Sequence, residues 1–509
     1  MEPGPPVQDR PNIVLICVDQ WRGDALSAAG HPVVRTPHVD ELARNGTRFS
    51  RAYSATPTCV PARVALFTGQ SPERHGRYGY RDGVPFSRAH PVTMQGVLGA
   101  NGYQTQAIGK MHVYPERARV GFDDVRLHDG FLHFSRRYGG RNLEAHDDYL
   151  TWYRRQPAAG AAADHAEDGV GCNSMVAAPW SRPEHLHPTN WVVSEAVDWL
   201  YRRDPEVPFF LYLSFHRPHA PFNPPQWAFD QYVHQPPQDP PVGDWVGDFE
   251  EFRADDHHQT VMGRLDPQTH HRAKAGYYGN ISHIDLQLNR FLEALGDFQL
   301  TDDTVIIFTS DHGEMMGDHD MYRKSVPYEG SAHVPLIVRP AANFQPDAPK
   351  GQVCDEVTEL RDVMPTVLEL AGVEVPDTVD GASLVPFTRG ERPDWRDVIH
   401  GEHVHFGQSL QWLTDGRAKY CWASGEGKEQ FFDLTADPHE RHNLVADADR
   451  ADEVDRWRRR LITFLTGRDE GFVADGALVT GRPVQTESNA VRATMSAPRT
   501  APATVRLGR

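Results

Sequence analysis

The chain carries several short runs that are rich in apolar residues and bounded by polar or turn-forming ones. They cover residues 12–18, 209–215, 304–309 and 334–338, and a more polar strand-like segment, 103–108, lies between the first two. Largely continuous apolar runs of this length are typical of buried parallel strands, because both faces of such strands are covered. Other segments, such as 191–201 and 272–295, have their apolar residues at helical spacing. Strands that alternate with helices predict an α/β fold with a doubly wound sheet.

Polar side chains that can bind metals or anions follow four of these predicted strands. In chain order they are Asp19, then Lys110 and His112, then His216, then Asp311 and His312. An aspartate after a strand can also cap a helix, so no single residue is decisive. The carboxyl ends of parallel strands meet at one edge of a sheet, however, and ligands bind in the crevice beyond it. Four polar endings therefore indicate a functional site at this edge.

The hydrophobic pattern also suggests how the chain is divided. In the last quarter, shorter segments alternate apolar and polar residues. We predict an α/β catalytic domain over 1–389 and a subdomain over 390–475, formed by a small antiparallel sheet and one helix. Residues 476–509 contain few large apolar side chains, which predicts a flexible or partner-binding tail. Residues 121–188 are predicted as an irregular insertion over the site, and 221–266 as a long surface loop.

Composition and charge limit the partners and the cellular location that we expect for the chain. The 509 residues carry a formal net charge of −18, which disfavours nucleic acids and anionic membranes as partners. No apolar run has the length that spans a bilayer, and the first residues lack the apolar core of a signal peptide. The five cysteines are scattered and form no C-x-x-C pair, so no disulfide framework is expected. We therefore predict a cytoplasmic protein.

The motif with the most specific chemistry is CVPAR at positions 59–63. Pro61 suits the first turn of a helix, because its missing N–H would be unpaired there in any case. Cys59 would then lie at the helix N-terminus, where free backbone N–H groups favour an anion. Arg63 would add a positive fork for a tetrahedral oxyanion. From these residues alone, a helix start with an inert buried thiol is an equal alternative.

This C-x-P-x-R motif, followed by Thr68 and Gly69, resembles the signature of the type I sulfatases, in the alkaline phosphatase superfamily. Residues 429–444 resemble the closing motif of that family, with Phe432 where a tyrosine is usual. The resemblance spans residues 12–444. It implies a large, mostly parallel sheet sandwiched by helices, followed by a smaller C-terminal subdomain with an antiparallel sheet.

The resemblance implies that a formylglycine-generating enzyme converts Cys59 to formylglycine during maturation. One hydroxyl of the hydrated aldehyde would attack the sulfur of a small sulfate ester. The other hydroxyl, once deprotonated, would expel sulfate by C–O cleavage, which a serine could not do. The implied function is that of a sulfuric ester hydrolase of the arylsulfatase type.

A metal site is implied by the same resemblance. Its expected ligands are Asp19, Gln20, Cys59 as formylglycine, Asp311 and His312. Oxygen-rich coordination with one imidazole suits one divalent cation, Ca²⁺ first, with Mg²⁺ or Mn²⁺ as alternatives. Gln20 departs from the usual second aspartate, so the site has one negative charge less.

The resemblance assigns roles to further charged side chains. Lys110 and His112 match a G-K-x-H pair that contacts the sulfate and the diol, and Lys324 matches a second sulfate-binding lysine. His216 matches the histidine that protonates the leaving alcohol, a role that the near-neutral pKa of imidazole suits. Other histidines are open as substrate contacts: His75, His219, His319, His333 and His403. The adjacent pairs 257–258 and 270–271 are not expected in the site.

Two other functions compete with sulfate ester hydrolysis. A phosphonate monoester or phosphodiester hydrolase is a close relative that also uses formylglycine and an Asp-Gln start. In that group, uncharged hydroxyl residues replace the G-K-x-H pair, whereas this chain keeps Lys110 and His112. A non-catalytic scaffold is a third hypothesis, which the intact motif residues disfavour. Whether the chain forms a homo-oligomer is left open.

Overall fold

The computed structural model describes residues 9–130, 145–159 and 169–496. The helices are α1 Pro37–Arg44, α2 Cys59–Thr68, α3 Pro72–His75, α4 Phe86–Ala89, α5 Met94–Ala100, α6 Asp148–Arg154, α7 Pro188–Arg202, α8 Gln226–Val233, α9 Pro267–Asp297, α10 Glu329–Ala332, α11 Val363–Leu370, α12 Val385–Thr388, α13 Ala451–Leu465 and α14 Asn489–Ser496. The strands are β1 Asn12–Asp19, β2 Thr47–Phe49, β3 Ala52–Tyr53, β4 Gln104–Gly109, β5 Asp124–Leu127, β6 Phe209–Pro218, β7 Thr304–Ser310, β8 Leu336–Arg339, β9 Gln352–Cys354, β10 Thr358–Glu359, β11 Ile399–His405, β12 Gln408–Thr414, β13 Ala418–Ala423, β14 Glu429–Asp433, β15 Val473–Ala474 and β16 Ala477–Leu478.

The predicted large sheet is confirmed, and it is mostly parallel. Its eight strands lie in the order β5-β4-β6-β1-β7-β8-β2-β9. The five strands from β5 to β7 are parallel, whereas β8 runs antiparallel to both β7 and β2. Strand β1 is central, between β6 and β7. Its carboxyl end therefore opens beside the ends of β6 and β7, and the end of β4 follows next to β6, so all four strands that carry predicted site residues end at one edge.

Helices cover both faces of this sheet. Successive residues of a strand point to opposite sides, so a continuous apolar strand places apolar side chains on both faces. On one face, Ile16 and Phe308 pack with Ile284 of the long helix α9. On the other face, Leu15 and Ile307 join a second apolar cluster that includes helices α2 and α11. The continuous apolar runs of the sequence thus correspond to strands that are buried on both sides, as expected.

A separate four-stranded antiparallel sheet follows, in the order β11-β12-β13-β14. Helix α13 packs on it through Trp457 and Leu461, which share an apolar cluster with Leu413 and Phe431. The other face contacts the main body, where Trp412 and Tyr53 belong to one cluster. This small sheet and its helix lie within the range predicted for the C-terminal subdomain.

Three predicted irregular regions contain more structure than the sequence indicated. The predicted loop 221–266 includes helix α8, and its Phe229 and Tyr232 are buried against helix α9. The described part of 121–188 contains β5 and α6; residues 131–144 and 160–168 of that prediction lie outside the described residues.

The first half of the predicted tail also contains more structure than the sequence indicated. Residues 477–496 contain β16 and α14, and the N–H of Ser488 donates to the carbonyl of Gly76 at 2.9 Å. The rest of the tail prediction, 497–509, lies outside the described residues. Within the described ranges, no helix combines the length and apolar character needed to cross a bilayer.

Candidate active site

Cys59 begins helix α2, as the motif predicted. Thr58 precedes the helix in an extended conformation, and Pro61 lies in the first turn. The helix ends at Gly69, whose φ of 64° is the left-handed conformation that glycine adopts readily. The Cys59 side chain is buried, so the free N–H groups of the helix start and the thiol share one enclosed environment.

Three residues from two strand ends surround the Cys59 thiol. Asp19 ends β1, while Asp311 and His312 follow β7, and all three are buried. The Sγ of Cys59 is 3.1 Å from Nε2 of His312 and 3.6 Å from Oδ1 of Asp19. One ligand atom from each of these four residues lies within 4.8 Å of the others. The structure therefore brings together four of the five predicted metal ligands.

The orientation of His312 suits a metal ligand. Its Nδ1 lies 2.9 Å from the carbonyl oxygen of Gly313, which fixes the proton on Nδ1. Nε2 is then left with its lone pair toward Asp19 and Asp311, at 3.4 and 3.6 Å. A second-sphere hydrogen bond of this kind is usual for metal-bound histidine. Burial opposes protonation of His312, but Asp311 and Cys59 outweigh it and raise the pKa of His312.

Gln20, the fifth predicted ligand, is turned differently. Its Oε1 accepts a hydrogen bond from Nζ of Lys324 at 2.5 Å, and its amide nitrogen donates to Glu314. Its backbone N–H donates to Oδ1 of Asp311 at 3.1 Å. Gln20 thus links Lys324 to the candidate metal ligands. Glu314, which fixes the amide, was missed by sequence reasoning because nothing in its residue type separates it from other acidic side chains.

Arg63 does not provide the free positive fork that the sequence predicted. The guanidinium is buried, and its Nε and Nη2 both lie 2.9 Å from Oδ2 of Asp311. Its Nη1 donates to the carbonyl of Lys110 and to the hydroxyl groups of Tyr212 and Ser214, at 2.6–3.0 Å. All of these partners belong to the protein. Arg63 therefore holds Asp311 in position and is not directed at a bound oxyanion.

Two lysines give the site a positive wall. Lys110, after β4, contacts Asp19 through a short ion pair and lies 3.9 Å from the Cys59 Sγ. Burial and Asp19 raise the pKa of Cys59, but Lys110, Lys324 and His312 outweigh them and lower it to about 6. Burial likewise opposes ionisation of Asp19, but Lys110 keeps the pKa of this carboxyl well below its usual range. This environment stabilises negative charge at position 59.

The predicted histidines differ in their surroundings. His112 lies 3.5 Å from the hydroxyl of Tyr80, and burial lowers its pKa to about 4. His216 has Nδ1 at 2.6 Å from Nη1 of Arg217, so Nδ1 accepts and Nε2 carries the proton. Burial, then Lys110 and Arg217, hold the pKa of His216 well below its usual range. The expectation of a near-neutral pKa for His216 is therefore wrong for this structure.

The remaining candidate histidines are divided between the site and the protein interior. His219 and His403 line the same cavity as Cys59. His75 instead accepts the N–H of Arg77 at 3.0 Å, the ring of His319 packs at a tilt against Trp245, and His333 contacts the carbonyl of Ser50 at 3.0 Å. These three have structural partners away from the thiol.

A cavity of about 400 Å³ opens above the Cys59 thiol. One end is lined by Cys59, Lys110, His112, His216 and Lys324, which are the predicted catalytic residues apart from Arg63. Its walls also include apolar side chains such as Val84 and Phe86. The volume lies in the range of small-molecule sites. A small anionic ester can therefore reach the helix start with its organic part among mixed polar and apolar groups.

Similarity to known proteins extends over most of the chain. The profile of the sulfatase family matches residues 11–373, and that of the N-sulphoglucosamine sulphohydrolase C-terminal region matches 317–466. An arylsulfatase from Clostridium perfringens is 44% identical over 480 residues, which cover 94% of this chain and 99% of that protein. PehA, a multifunctional alkaline phosphatase superfamily protein from Trinickia caryophylli, is 30% identical, over 86% of this chain and 92% of its own.

Solved structures show the same fold. The phosphonate monoester hydrolase of Agrobacterium radiobacter superposes with a TM-score of 0.72 at 28% identity, covering 93% of this chain and 100% of that one. A protein solved with its substrate D-glucosamine-2-N,6-O-disulfate gives a TM-score of 0.69 at 20% identity, covering 90% of this chain and 98% of its own. At that identity, the second similarity concerns the fold alone.

Proposed function

The chain belongs to the sulfatase family and hydrolyses sulfate esters, and we propose that residue 59, as formylglycine, is its nucleophile. The observation that carries this proposal is the position of Cys59. It lies at a helix start, within 4.8 Å of donor atoms of Asp19, Asp311 and His312 and 3.9 Å from Lys110. Such surroundings stabilise a negatively charged oxygen on residue 59 and an anionic ester beside it.

We propose that Asp19, Asp311 and His312 hold one divalent cation together with residue 59. The donor set fits, because two buried carboxylates converge with an imidazole nitrogen whose other nitrogen is already hydrogen-bonded. Oxygen-rich sites of this kind suit Ca²⁺, Mg²⁺ or Mn²⁺, with Ca²⁺ our first expectation. When bound, the cation supplies positive charge that favours ionised oxygen at residue 59 and on the ester.

The other side chains bind and orient the ester. Lys110 and Lys324 offer ammonium groups to the non-bridging oxygens of the sulfate, and His112 lies beside them at the same end of the cavity. His216 presents its Nε2–H, since Nδ1 already accepts from Arg217. Because its pKa is low, His216 acts as a neutral hydrogen-bond donor to the leaving oxygen until charge develops there.

The maturation step is tested on the tryptic peptide 52–63, which contains Cys59. Mass spectrometry of active protein should show formylglycine, and protein made without a formylglycine-generating enzyme should be mostly inactive. Cys59→Ala should abolish turnover with an unchanged melting curve. Cys354→Ala is the matched control, because this thiol is also buried but lies outside the motif. Full activity with only unmodified thiol would refute the nucleophile assignment.

Phosphonate monoester or phosphodiester hydrolysis is the second candidate, favoured by the structural similarity to the phosphonate monoester hydrolase. A sulfate monoester can direct three non-bridging oxygens at Lys110, Lys324 and the cation. In a diester, one of these oxygens carries a second organic group that would press on the Lys110 wall. We expect kcat/KM to be highest for nitrophenyl sulfate among matched sulfate, phenylphosphonate and diester substrates. A higher value for either phosphorus substrate would favour the second candidate.

A small sulfate ester is thus the expected partner, together with the maturing enzyme. The cytoplasmic location stays a prediction from the sequence, and whether the chain forms a homo-oligomer stays open.

A further inference from the structure

The cavity that includes Cys59 is also lined by residues that the proposed mechanism does not use. We call the part formed by Arg77, Tyr80, Arg323, His403 and His405 the outer cavity. Strand β11 forms part of its wall because the N–H of Val404 donates to the carbonyl of Tyr78 at 2.7 Å. The organic part of an ester bound at Cys59 would extend into the outer cavity.

Arg77 is a buried cation that no carboxylate among the described residues pairs with. Only 1% of its surface is exposed, and its Nη2 donates to the carbonyl of Arg81 at 2.9 Å. Its Nε has no hydrogen-bond partner in the described part of the chain, and no ion pair to Arg77 occurs there. Burial lowers its pKa to about 10, against a smaller opposing effect of Glu487. A buried guanidinium in this state is costly unless an anion joins it.

Arg323 repeats this arrangement at another point of the outer cavity. Its Nη2 donates to the carbonyl groups of Asn173 and Gln259, at 2.7 and 2.5 Å. Among residues that the structure describes, Nε is buried without a partner and no carboxylate pairs with the guanidinium. Burial lowers the pKa of Arg323, and the charge of Glu314 offsets only part of this effect.

The acidic residues of the cavity have other contacts. Asp82 accepts a hydrogen bond from the Tyr80 hydroxyl at 2.7 Å, and Asp129 accepts the backbone N–H groups of residues 111 and 112 at 2.7 and 3.0 Å. Oε2 of Glu116 lies 4.0 Å from His146. Arg81, the neighbouring arginine, has its own partner in the buried Glu487 at 2.9 Å. Both guanidinium groups thus line the cavity without a carboxylate partner among the described residues.

The segment that carries Arg77 is also held in place. Gly76, with a φ of 63°, ends helix α3, and the N–H of Arg77 donates to Nδ1 of His75 at 3.0 Å. The C-terminal segment adds hydrogen bonds on both sides, from Ser488 N–H to Gly76 and from Tyr78 N–H to Thr486, at 2.9 and 2.8 Å. Arg77 is thus positioned before a ligand arrives, which lowers the entropy cost of binding.

We propose that the natural substrate carries a second anionic group on its alcohol or phenol part, and that Arg77 and Arg323 bind it in the outer cavity. The substrate class is a small sulfate ester with a carboxylate or a second sulfate. This inference rests on the proposed function, because the first sulfate must lie at Cys59. The cavity volume of about 400 Å³ limits the organic part to a small molecule.

The test compares 3-carboxyphenyl sulfate, 1,3-phenylene disulfate and the neutral 3-carbamoylphenyl sulfate on the full, formylglycine-containing chain. We expect kcat/KM for at least one anionic substrate to exceed that for the neutral amide by about 10- to 100-fold, the usual effect of a hydrogen bond to a charged group. Comparing the two anions identifies carboxylate or sulfate as the preferred group. In Arg77→Gln and in Arg323→Gln, the ratio of kcat/KM for the anionic substrate to kcat/KM for the neutral amide should fall toward one.

Arg74→Gln is the matched control, since Arg74 lies on helix α3 outside the cavity lining and donates to a backbone carbonyl of Asp377. Its ratio should equal that of the wild type. If Arg77→Gln does not fold, Arg323→Gln still tests the inference. A wild-type ratio at or below one, or a ratio unchanged in every folded cavity variant, overturns it. If the enzyme turns over 4-nitrophenyl sulfate but does not prefer the anionic substrates to the neutral amide, only the second anion site is refuted. If it turns over no sulfate at all, the proposed function is refuted.

Discussion

At the scale of single residues, Asp311 is fixed through both carboxylate oxygens. Oδ1 accepts the backbone N–H groups of Gln20 and His312, and Oδ2 contacts Arg63. Asp311→Asn removes one charge from the proposed cation site and disturbs the Arg63 contact. We expect less than one cation per chain by elemental analysis and a loss of activity of roughly 100-fold or more. Chelation of the wild type should also inactivate it, with Ca²⁺, Mg²⁺ or Mn²⁺ restoring activity.

Asp302 is exposed, so Asp302→Asn is a control for this prediction. This variant should keep both its cation content and its activity. An Asp311→Asn protein with full cation content and full activity would place the cation elsewhere.

Arg63 gives a second prediction at this scale. Arg63→Lys keeps the charge but cannot reproduce the fork that reaches Asp311, Tyr212 and Ser214 together. We expect a loss of about 3–5 kcal/mol of folding stability, as for other broken buried ion pairs, and a lower cation affinity. Denaturant unfolding and cation titration measure the two effects. Arg44→Lys, in an exposed pair with Glu41, should change stability by less than about 0.5 kcal/mol. Equal losses in both variants would contradict the prediction.

The residue types of the site could be predicted because few side chains can perform this chemistry, and four of the polar strand endings do converge. The direction of each side chain could not. Arg63 points at Asp311 because Tyr212 and Ser214, from another strand, complete its hydrogen bonds. The low pKa of His216 likewise depends on burial by segments distant in sequence.

At the scale of elements, prediction succeeded where one physical pattern dominates. Strands buried on both faces gave continuous apolar runs, and the long helix α9 gave helical spacing. Helix α8 was missed because its proline-rich surroundings resemble a loop, while its burial comes from packing against α9. The antiparallel direction of β8 was also not predicted, because apolar composition carries no information about strand direction.

The N-terminus of helix α1 supplies a prediction on pH. Oδ1 of Asp285, on α9, accepts the backbone N–H groups of His38 and Val39 at 3.1 and 2.8 Å. Burial nevertheless raises the pKa of Asp285 from 3.8 to about 7. Between these values the folded state holds a proton that the unfolded state has lost, so stability falls as pH rises from about 4 to 7. Asp285→Asn mimics the protonated acid and should remove this loss.

We therefore expect the melting temperature of Asp285→Asn, relative to wild type, to increase between pH 4.5 and pH 8. The stability difference should reach on the order of 2–4 kcal/mol. Asp302→Asn, at an exposed position, provides the baseline. If Asp285→Asn is instead the less stable protein at pH 8, the carboxylate is stabilised by the helix N-terminus more than it is penalised by burial.

At the scale of the whole molecule, the C-terminal sheet completes the site as well as covering the body. Strand β11 brings His403 and His405 to the cavity wall. Strand β13 brings Lys419, whose ammonium group donates to the carbonyl of Pro327, to Glu329 and to Glu440, at 2.7–2.8 Å. All three donors are therefore used in a buried position. Since residues 324–329 begin with Lys324, this network connects the small sheet to the part of the cavity at Cys59 and Lys324.

Lys419→Met should uncouple the two parts. Its aliphatic stem is kept, but the buried Glu440 and the partly buried Glu329 then lose the ammonium group that they share. Breaking such a network costs about 3–5 kcal/mol, so we expect a lower melting temperature and a lower kcat/KM. Burial already raises the pKa of Glu440 to about 7 with Lys419 present. Without the lysine these carboxyls bind protons more readily, so the loss should be larger at pH 8 than at pH 5.

Two further variants distinguish this network from a simple packing effect. Lys428→Met removes a half-exposed lysine near the same sheet and should change stability little. The triple variant Lys419→Met, Glu329→Gln, Glu440→Gln removes the buried charges together and should recover most of the melting temperature, because replacing a whole buried ion network is often neutral. Recovery of kcat/KM in the same variant would show that Lys324 depends on the position of this segment. A Lys419→Met protein that melts like the wild type at pH 8 would contradict the coupling.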